Sequence, residues 1–289
     1  MKLTQLIQEG AAQLDHAKVA FGHGTLNAHD EATWLVLWQL QMPLDMDVSN
    51  DIDVAALEVL ACQNLIQQRI VTRKPAAYLT QEAWLQGIPF YVDERSIVPR
   101  SFIAELIVDG AFDAWLNENS HQFLDLCTGN GSLAIICAMA YPDVSVVGAD
   151  ISTDALEVAK INVSKHQLQD RVQLVQSDGL KKVNGAYDCI VCNPPYVCQA
   201  SMNALPKEFK AEPELALAGG EDGMDFVRQL FIDLPQHMKP EAILVLEIGN
   251  EREHFETAFP SLEAVWLETS AGEDQVLLLT REALHKLKS

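Results

Sequence analysis

FLDLCTGNGSLAIICAMAYPDVSVVGAD, residues 123–150, runs from a short apolar strand through a glycine-rich turn and an apolar helix to a second strand that ends on an acid. Phe123 to Leu126 and Val144 to Ala149 read as strands and Ser132 to Ala140 as a helix between them. Neither strand alternates apolar with polar residues, as expected where both faces are covered in a parallel sheet. Gly129 and Gly131 let the backbone pass close to a ligand, and the helix that follows presents free amide groups to negative charge.

The same alternation continues outward. Ser152 to His166 reads as a helix with Ser152 as its N-cap, followed by strands at Val172 to Gln176 and Tyr187 to Cys192. A helix around Asp225 to His237, a strand at Ile243 to Ile248, and closing strands at Ala264 to Glu268 and Gln275 to Leu279 complete the pattern, with no long helix after the last. The order predicts an α/β, Rossmann-like, mainly parallel seven-stranded sheet with helices on both faces. Ahead of it, Leu3-Leu6-Ile7, Trp34-Leu35-Leu37-Trp38 and Leu57-Leu60-Leu65-Ile66-Ile70 recur at helical spacing. Tyr78 to Val98, with its Gly-x-Pro break, reads as a hairpin. The expected division is a small helical substrate-recognition domain at 1–76, a hairpin linker at 77–98 and a catalytic domain at 99–289.

Ligands of such sheets sit beyond the carboxyl ends of the strands. There the first strand carries Asp125, the second Asp150 and the third Asp178. Asp150 lies about twenty residues past Gly131, a position suited to gripping ribose hydroxyls. Asp178 could accept the exocyclic amine of adenine. Gly129-x-Gly131-x-x-Ala134 also fits a loose dinucleotide fingerprint, but no hydride-transfer residue accompanies it.

The fourth strand ends in Asn193-Pro194-Pro195-Tyr196. Proline has no amide hydrogen, so Pro194 and Pro195 offer only carbonyl oxygens, and the Asn193 side chain adds another acceptor. Such a set is suited to holding an NH2 group. Hydrogen bonds to both N–H groups would return electron density to a delocalised amide or aryl amine nitrogen and aim it at an electrophile such as a methyl sulfonium. Tyr196 could stack on the flat group.

Composition narrows the acceptor. Forty-one acidic against twenty basic residues give a net charge of -21. Nucleic-acid affinity rests largely on Lys and Arg neutralising phosphates, so a basic protein partner fits better than RNA or DNA. No stretch approaches the roughly 20 apolar residues that span a bilayer, and the start MKLTQLIQEG lacks signal-peptide character, so no membrane partner and a cytoplasmic location are expected. The six cysteines sit mostly in apolar runs, as buried thiols do. Cys189-x-x-Cys192 falls in a strand, where a separation of three points side chains to opposite faces, so no metal ligand set is assigned.

Through these residues the sequence resembles the HemK-like enzymes, class I S-adenosylmethionine-dependent methyltransferases that modify the N5 of protein glutamine. The resemblance runs through Pro75-Ala-Ala-Tyr78, Val98-Pro99-Arg100, DLCTGNG, Asp150, Asn193 to Tyr196, and Glu212-Pro-Glu-Leu-Ala-Leu217 with Gly219-Gly220-Glu-Asp222-Gly223. FYVDERSIVPRSFIAELI and DLCTGNG look most like the branch that acts on the third protein of the large ribosomal subunit. The release-factor branch typically has glycine where this chain has Cys127, and a PRPDTE-like stretch where it reads Pro99 to Ala104.

The resemblance implies S-adenosylmethionine as cofactor and a basic ribosomal protein as partner. Asp125, Gly129 and Gly131, with Cys127 and Thr128 in the same loop, would shape the methionine side of the cofactor site. Asp150, beside Ile151, would hold the ribose, and Asp178, beside Gly179, would lie near adenine. Asn193, which also borders the cofactor, and Pro194, Pro195 and Tyr196 would hold the glutamine. Arg100 and Glu212 are expected either to border the site or to form a plain salt bridge. Three rivals remain at this stage: a methyltransferase acting on exocyclic amines of nucleic acid, a non-catalytic ribosome-assembly factor, and the release-factor enzyme.

Overall fold

The structure, a computed structural model, describes residues 1–49 and 52–286. Helices α1 (Leu3–His16), α2 (Ala28–Gln39) and α3 (Ala56–Thr72) pack around Leu6, Ile7, Leu35, Leu37 and Ile66. Asn27 caps α2 by accepting from the amide of Asp30. The short α4 (Ala76–Thr80) leads into an antiparallel hairpin, β1 (Glu82–Leu85) and β2 (Ile88–Tyr91). At its turn Gln86 and Gly87 take φ of 50° and 72°, the paired positive values of a tight two-residue hairpin turn.

After α5 (Ile103–Val108) the alternation begins: β3 (Gln122–Leu126), α6 (Ser132–Ala140), β4 (Ser145–Asp150), α7 (Thr153–Lys165), β5 (Val172–Gln176) and β6 (Tyr187–Cys192). There follow α8 (Gln199–Ala204), α9 (Asp225–Asp233), β7 (Met238–Glu247), α10 (Arg252–Ala258), β8 (Val265–Thr269), β9 (Gly272–Thr280) and α11 (Arg281–Lys286). The seven strands lie in the order β5-β4-β3-β6-β7-β9-β8. Pairings from β5 to β7 are parallel, and those of β9 with β7 and β8 are antiparallel. The chain reverses direction across the sheet between β3 and β6, which opens a crevice at their carboxyl ends.

Successive residues face opposite sides, and both sides are buried. Phe123, Cys189, Val191, Ile243 and Val245 pack toward α5 and α6, whereas Leu124, Ile190, Cys192, Leu244 and Leu246 pack toward α9 and α10. Cys189 and Cys192 therefore lie on opposite faces. No helix among the described residues is long and apolar enough to cross a membrane.

The short helices α5 and α8 lie in stretches that the sequence reading left without an element, and β7 and α10 depart from it as well. Strand β7 begins at Met238, five residues before the apolar run, because its start carries the exposed or half-buried Lys239, Pro240 and Glu241. Helix α10 buries only Phe255, so it has no apolar stripe to reveal it.

Candidate active site

A cavity opens at the carboxyl ends of β3, β4, β5 and β6. Of the residues singled out in the sequence, Cys127, Gly129, Asp150 and Ile151 line it on one side, and Asp178, Gly179, Asn193 and Pro195 complete the wall. Gly129 and Gly179 both take φ of 55°, and a Cβ on either would meet nothing within 4 Å. The backbone is thus bare where it faces the cavity. Cys127 takes φ of 62°, a left-handed conformation that glycine adopts without steric cost.

Asp150 is fixed by two backbone donors: the amide of Gly129 reaches Oδ2 at 2.8 Å and that of Ser152 reaches Oδ1 at 2.9 Å. Burial pushes its carboxyl above the ordinary range against these hydrogen bonds. Asp178 is exposed, and its Oδ2 accepts from Lys181 at 2.5 Å. The Asn193 carboxamide is half-buried at the cavity wall and makes no hydrogen bond among the described residues.

The remaining candidates stand behind this wall. Asp125 is fully buried; its Oδ2 accepts from Thr128 Oγ1 at 2.5 Å and from the Ala134 amide at 2.9 Å, fastening the loop to the start of α6. Burial, reinforced by the nearby charge of Asp150, lifts the Asp125 carboxyl to about 7 despite those bonds. Its Oδ1 has no partner among the described residues. A Cβ on Gly131, where φ is 80°, would stand 3.1 Å from the Cβ of Ala159, so this glycine serves close packing of α6 on α7.

Pro194 is buried, and Tyr196 is held from several sides. Its hydroxyl donates to Glu247 Oε1 at 3.3 Å. A Cβ on Gly223 would come 2.2 Å from its carbonyl oxygen, and one on Gly219 would come 2.8 Å from its carbonyl carbon. The adjoining Val197 pairs with Ala218, the Val197 amide donating to Leu217 O at 2.8 Å. The glycines of the GGEDG stretch therefore let that segment close over the Asn-Pro-Pro-Tyr turn.

Glu212 forms a two-bond pair with Arg100, at 2.6 Å and 2.7 Å, and also accepts from the Val98 amide at 2.9 Å. His23 Nε2, from the connection between α1 and α2, lies 3.4 Å from Glu212 Oε2. Burial would raise the Glu212 carboxyl, but the Arg100 charge and the polar contacts of His23 and Arg100 overcome this and hold it at about 2. Four residues earlier, Glu208 meets Arg73 at 3.1 Å and Arg69 at 3.6 Å. The segment that supplies Pro213, Leu215 and Ala216 to the cavity is thus anchored on the N-terminal helices.

Sequence reasoning missed Glu247, although the signal was present: it ends the apolar run ILVL as Asp125 ends FL. Glu247 is buried, which raises its carboxyl, and it accepts from Ser101 Oγ at 2.6 Å and the Phe102 amide at 2.9 Å. Phe226, Leu215 and Ala216, the apolar part of the cavity wall, were missed as well. Leu215 and Ala216 fall inside the Glu212-to-Leu217 motif without a role of their own and Phe226 falls in none, because all three reach the cavity only through the fold of the segment after β6.

A family described as methyltransferase small domain matches residues 111–250. A ribosomal protein uL3 glutamine methyltransferase of Bordetella pertussis is 51% identical over 287 residues, covering 98% of this chain and 96% of that protein. Its namesake in Neisseria gonorrhoeae is 47% identical over 289 residues, covering 98% and 95%. Among solved structures, a methyltransferase from Pyrococcus furiosus superposes with a TM-score of 0.50 at 16% identity, covering 74% of this chain and 97% of that one. The catalytic domain of human Mettl16 superposes at 0.53 with 12% identity, covering 78% and 81%, and carries the fold alone as its likeness.

Proposed function

We propose, from the premise that the chain belongs to the ribosomal protein uL3 glutamine methyltransferase family, that its Asn193-to-Tyr196 turn holds the glutamine amide against the cavity while the methyl group is transferred. The protein is a methyltransferase that uses S-adenosylmethionine to modify the side-chain amide of a ribosomal-protein glutamine. The observation that carries the assignment of residues is the Asn193 carboxamide, without a hydrogen bond among the described residues, at a cavity wall continued by Pro195, with the buried Pro194 between them, and neither proline can donate.

The cavity suits this cofactor. Bare backbone at Gly129 and Gly179, a ribose-height carboxylate at Asp150 and the apolar faces of Leu215 and Phe226 match a nucleoside's polar and flat parts. The cofactor supplies an electrophilic methyl group on a positively charged sulfur. Asn193 and the Pro194 carbonyl accept from the two amide hydrogens of the glutamine, and its nitrogen lone pair is thereby turned toward the methyl carbon. Bound there, S-adenosylmethionine would give its methyl group to this nitrogen, with the neutral thioether S-adenosylhomocysteine as the leaving group. The amide, now cationic, is strongly acidic and loses a proton to water, so no side chain is assigned as general base. Tyr196 and Glu247 fix the turn, and Arg100 with Glu212 fixes the segment opposite.

The N-terminal helices, residues 1–76, take the part of substrate recognition, linked to the catalytic domain by the hairpin at 77–98. The charge of -21 favours encounter with a basic ribosomal protein. The test offers labelled S-adenosylmethionine together with uL3, release factor or ribosomal RNA, and locates the label by mass spectrometry. One methyl on a uL3 glutamine alone is the expected result. Label in release factor overturns the acceptor, and label only in RNA overturns the protein-directed chemistry.

A further inference from the structure

Arg95 is the one basic side chain among the described residues that line the cavity, which otherwise presents the carboxylates of Asp150 and Asp178. Its guanidinium is set in place: Nε lies 2.9 Å and 3.1 Å from the two oxygens of Asp93, and Nη2 donates to Asp93 Oδ2 at 2.6 Å. Asp93 is itself held by the Tyr91 hydroxyl at 2.8 Å. Nη1 takes no part in the bonds to Asp93.

The next residue adds an independent observation. Ser96 also lines the cavity and is 2% exposed, and its Oγ is buried without a hydrogen-bond partner among the described residues. Buried hydroxyls are rarely left unpaired, and one at a ligand cavity points to a partner brought by the ligand. The Ser96 backbone is fixed, its carbonyl accepting from the Tyr78 hydroxyl at 2.6 Å. The Asn130 side chain donates to Ile97 O at 3.0 Å, which ties this segment to the glycine loop. Arg95 and Ser96 thus stand at the glycine-loop end of the cavity.

The methyl donor carries two positive groups, a sulfonium and an ammonium, and a single negative one. The guanidinium is already paired with Asp93 on one edge, and its remaining edge is a planar donor matched to that single anion rather than to either cation. We propose that Arg95 and Ser96 form the subsite that holds the donor's α-carboxylate, a role that rests on the methyltransferase reading above. A carboxylate there takes hydrogen bonds from Arg95 Nη1 and, after rotation about one side-chain bond, from Ser96 Oγ.

The test is calorimetric and needs no turnover. S-adenosylmethionine and its decarboxylated form, which keeps the nucleoside, sulfonium and amine, are titrated into the full-length protein and into Arg95→Gln and Ser96→Ala. Arg95→Gln is expected to weaken the carboxylate-bearing ligand by about tenfold to a hundredfold while leaving the decarboxylated ligand within about threefold, the range set by one charged hydrogen-bonding contact. Ser96→Ala, a smaller change, is expected to shift the same ligand in the same direction. Equal weakening of both ligands, or of neither, overturns the subsite. Failure of the unaltered protein to bind either ligand contradicts the methyltransferase reading instead, so the two failures are distinct.

Discussion

The ring of Tyr196 fills the space beside the α-carbon of Gly249: a Cβ there would stand 2.5 Å from Cε2 and 2.9 Å from Cζ. Gly249 lies just past β7, two residues after the Glu247 that accepts from the Tyr196 hydroxyl. One strand end therefore sets both the position of the ring and the direction of its hydroxyl.

Gly249→Ala should accordingly displace the acceptor turn. We expect kcat/KM to fall by up to about a hundredfold, the scale of an ångström's misplacement at a reacting centre, with affinity for S-adenosylhomocysteine within about threefold of the unaltered protein. Steady-state kinetics with uL3 and calorimetry measure the two, and unchanged kcat/KM contradicts the account of Tyr196.

Glu212 holds the segment over the cavity, and its removal strands Arg100 and the Val98 amide. Glu212→Ala should lower stability by about 3 kcal/mol or more, as for a buried pair that loses one partner. Because the carboxyl is held at about 2, below its ordinary 4.5, this stabilisation is present above pH 4.5 and is lost as pH falls toward 2. Urea unfolding at pH 7 and pH 3 checks both statements; a cost equally large at the two pH values contradicts the second.

Asp125 has the opposite sign. Its carboxyl is raised from 3.8 to about 7, so the folded protein holds a proton there that the unfolded chain has released. Its contribution to stability therefore declines as pH rises from about 4 to about 7. In Asp125→Asn this decline should be absent, so the unfolding midpoint should drop less between pH 4.5 and pH 7.5 than in the unaltered protein. Parallel profiles for the two proteins contradict the assignment.

How much of this was legible in the sequence follows from where each signal lies. Strands β3, β4 and β6 are largely apolar runs and β5 carries two glutamines among its apolar residues, and the residues just past the four strands or at their tips are the ones the cavity gathers: Gly129, Asp150, Asp178 and Asn193. Parallel strands with helical crossovers bring their carboxyl ends together whatever the loop lengths, so periodicity alone located that half of the site. The half formed by Leu215, Phe226 and Ser96 comes from two connecting segments and the first turn of α9, whose placement depends on long-range ties such as Glu212 to His23 and Asn130 to Ile97. Periodicity carries no trace of these. Tyr196 shows the difference: the motif marked it as important, but its contacts with Gly249 and Glu247 arise only when β6 and β7 lie side by side.

Asn193→Ala separates cofactor binding from methyl transfer in two quantities: the dissociation constant for S-adenosylhomocysteine and the turnover number with uL3 as acceptor. If Asn193 holds the glutamine amide, the first should stay within about threefold while the second falls by about a hundredfold or more, the loss expected when a donor–acceptor contact at a reacting centre is removed. Turnover comparable to that of the unaltered protein would mean that the amide is held by other groups, and the proposed role of the Asn193-to-Tyr196 turn would have to be abandoned.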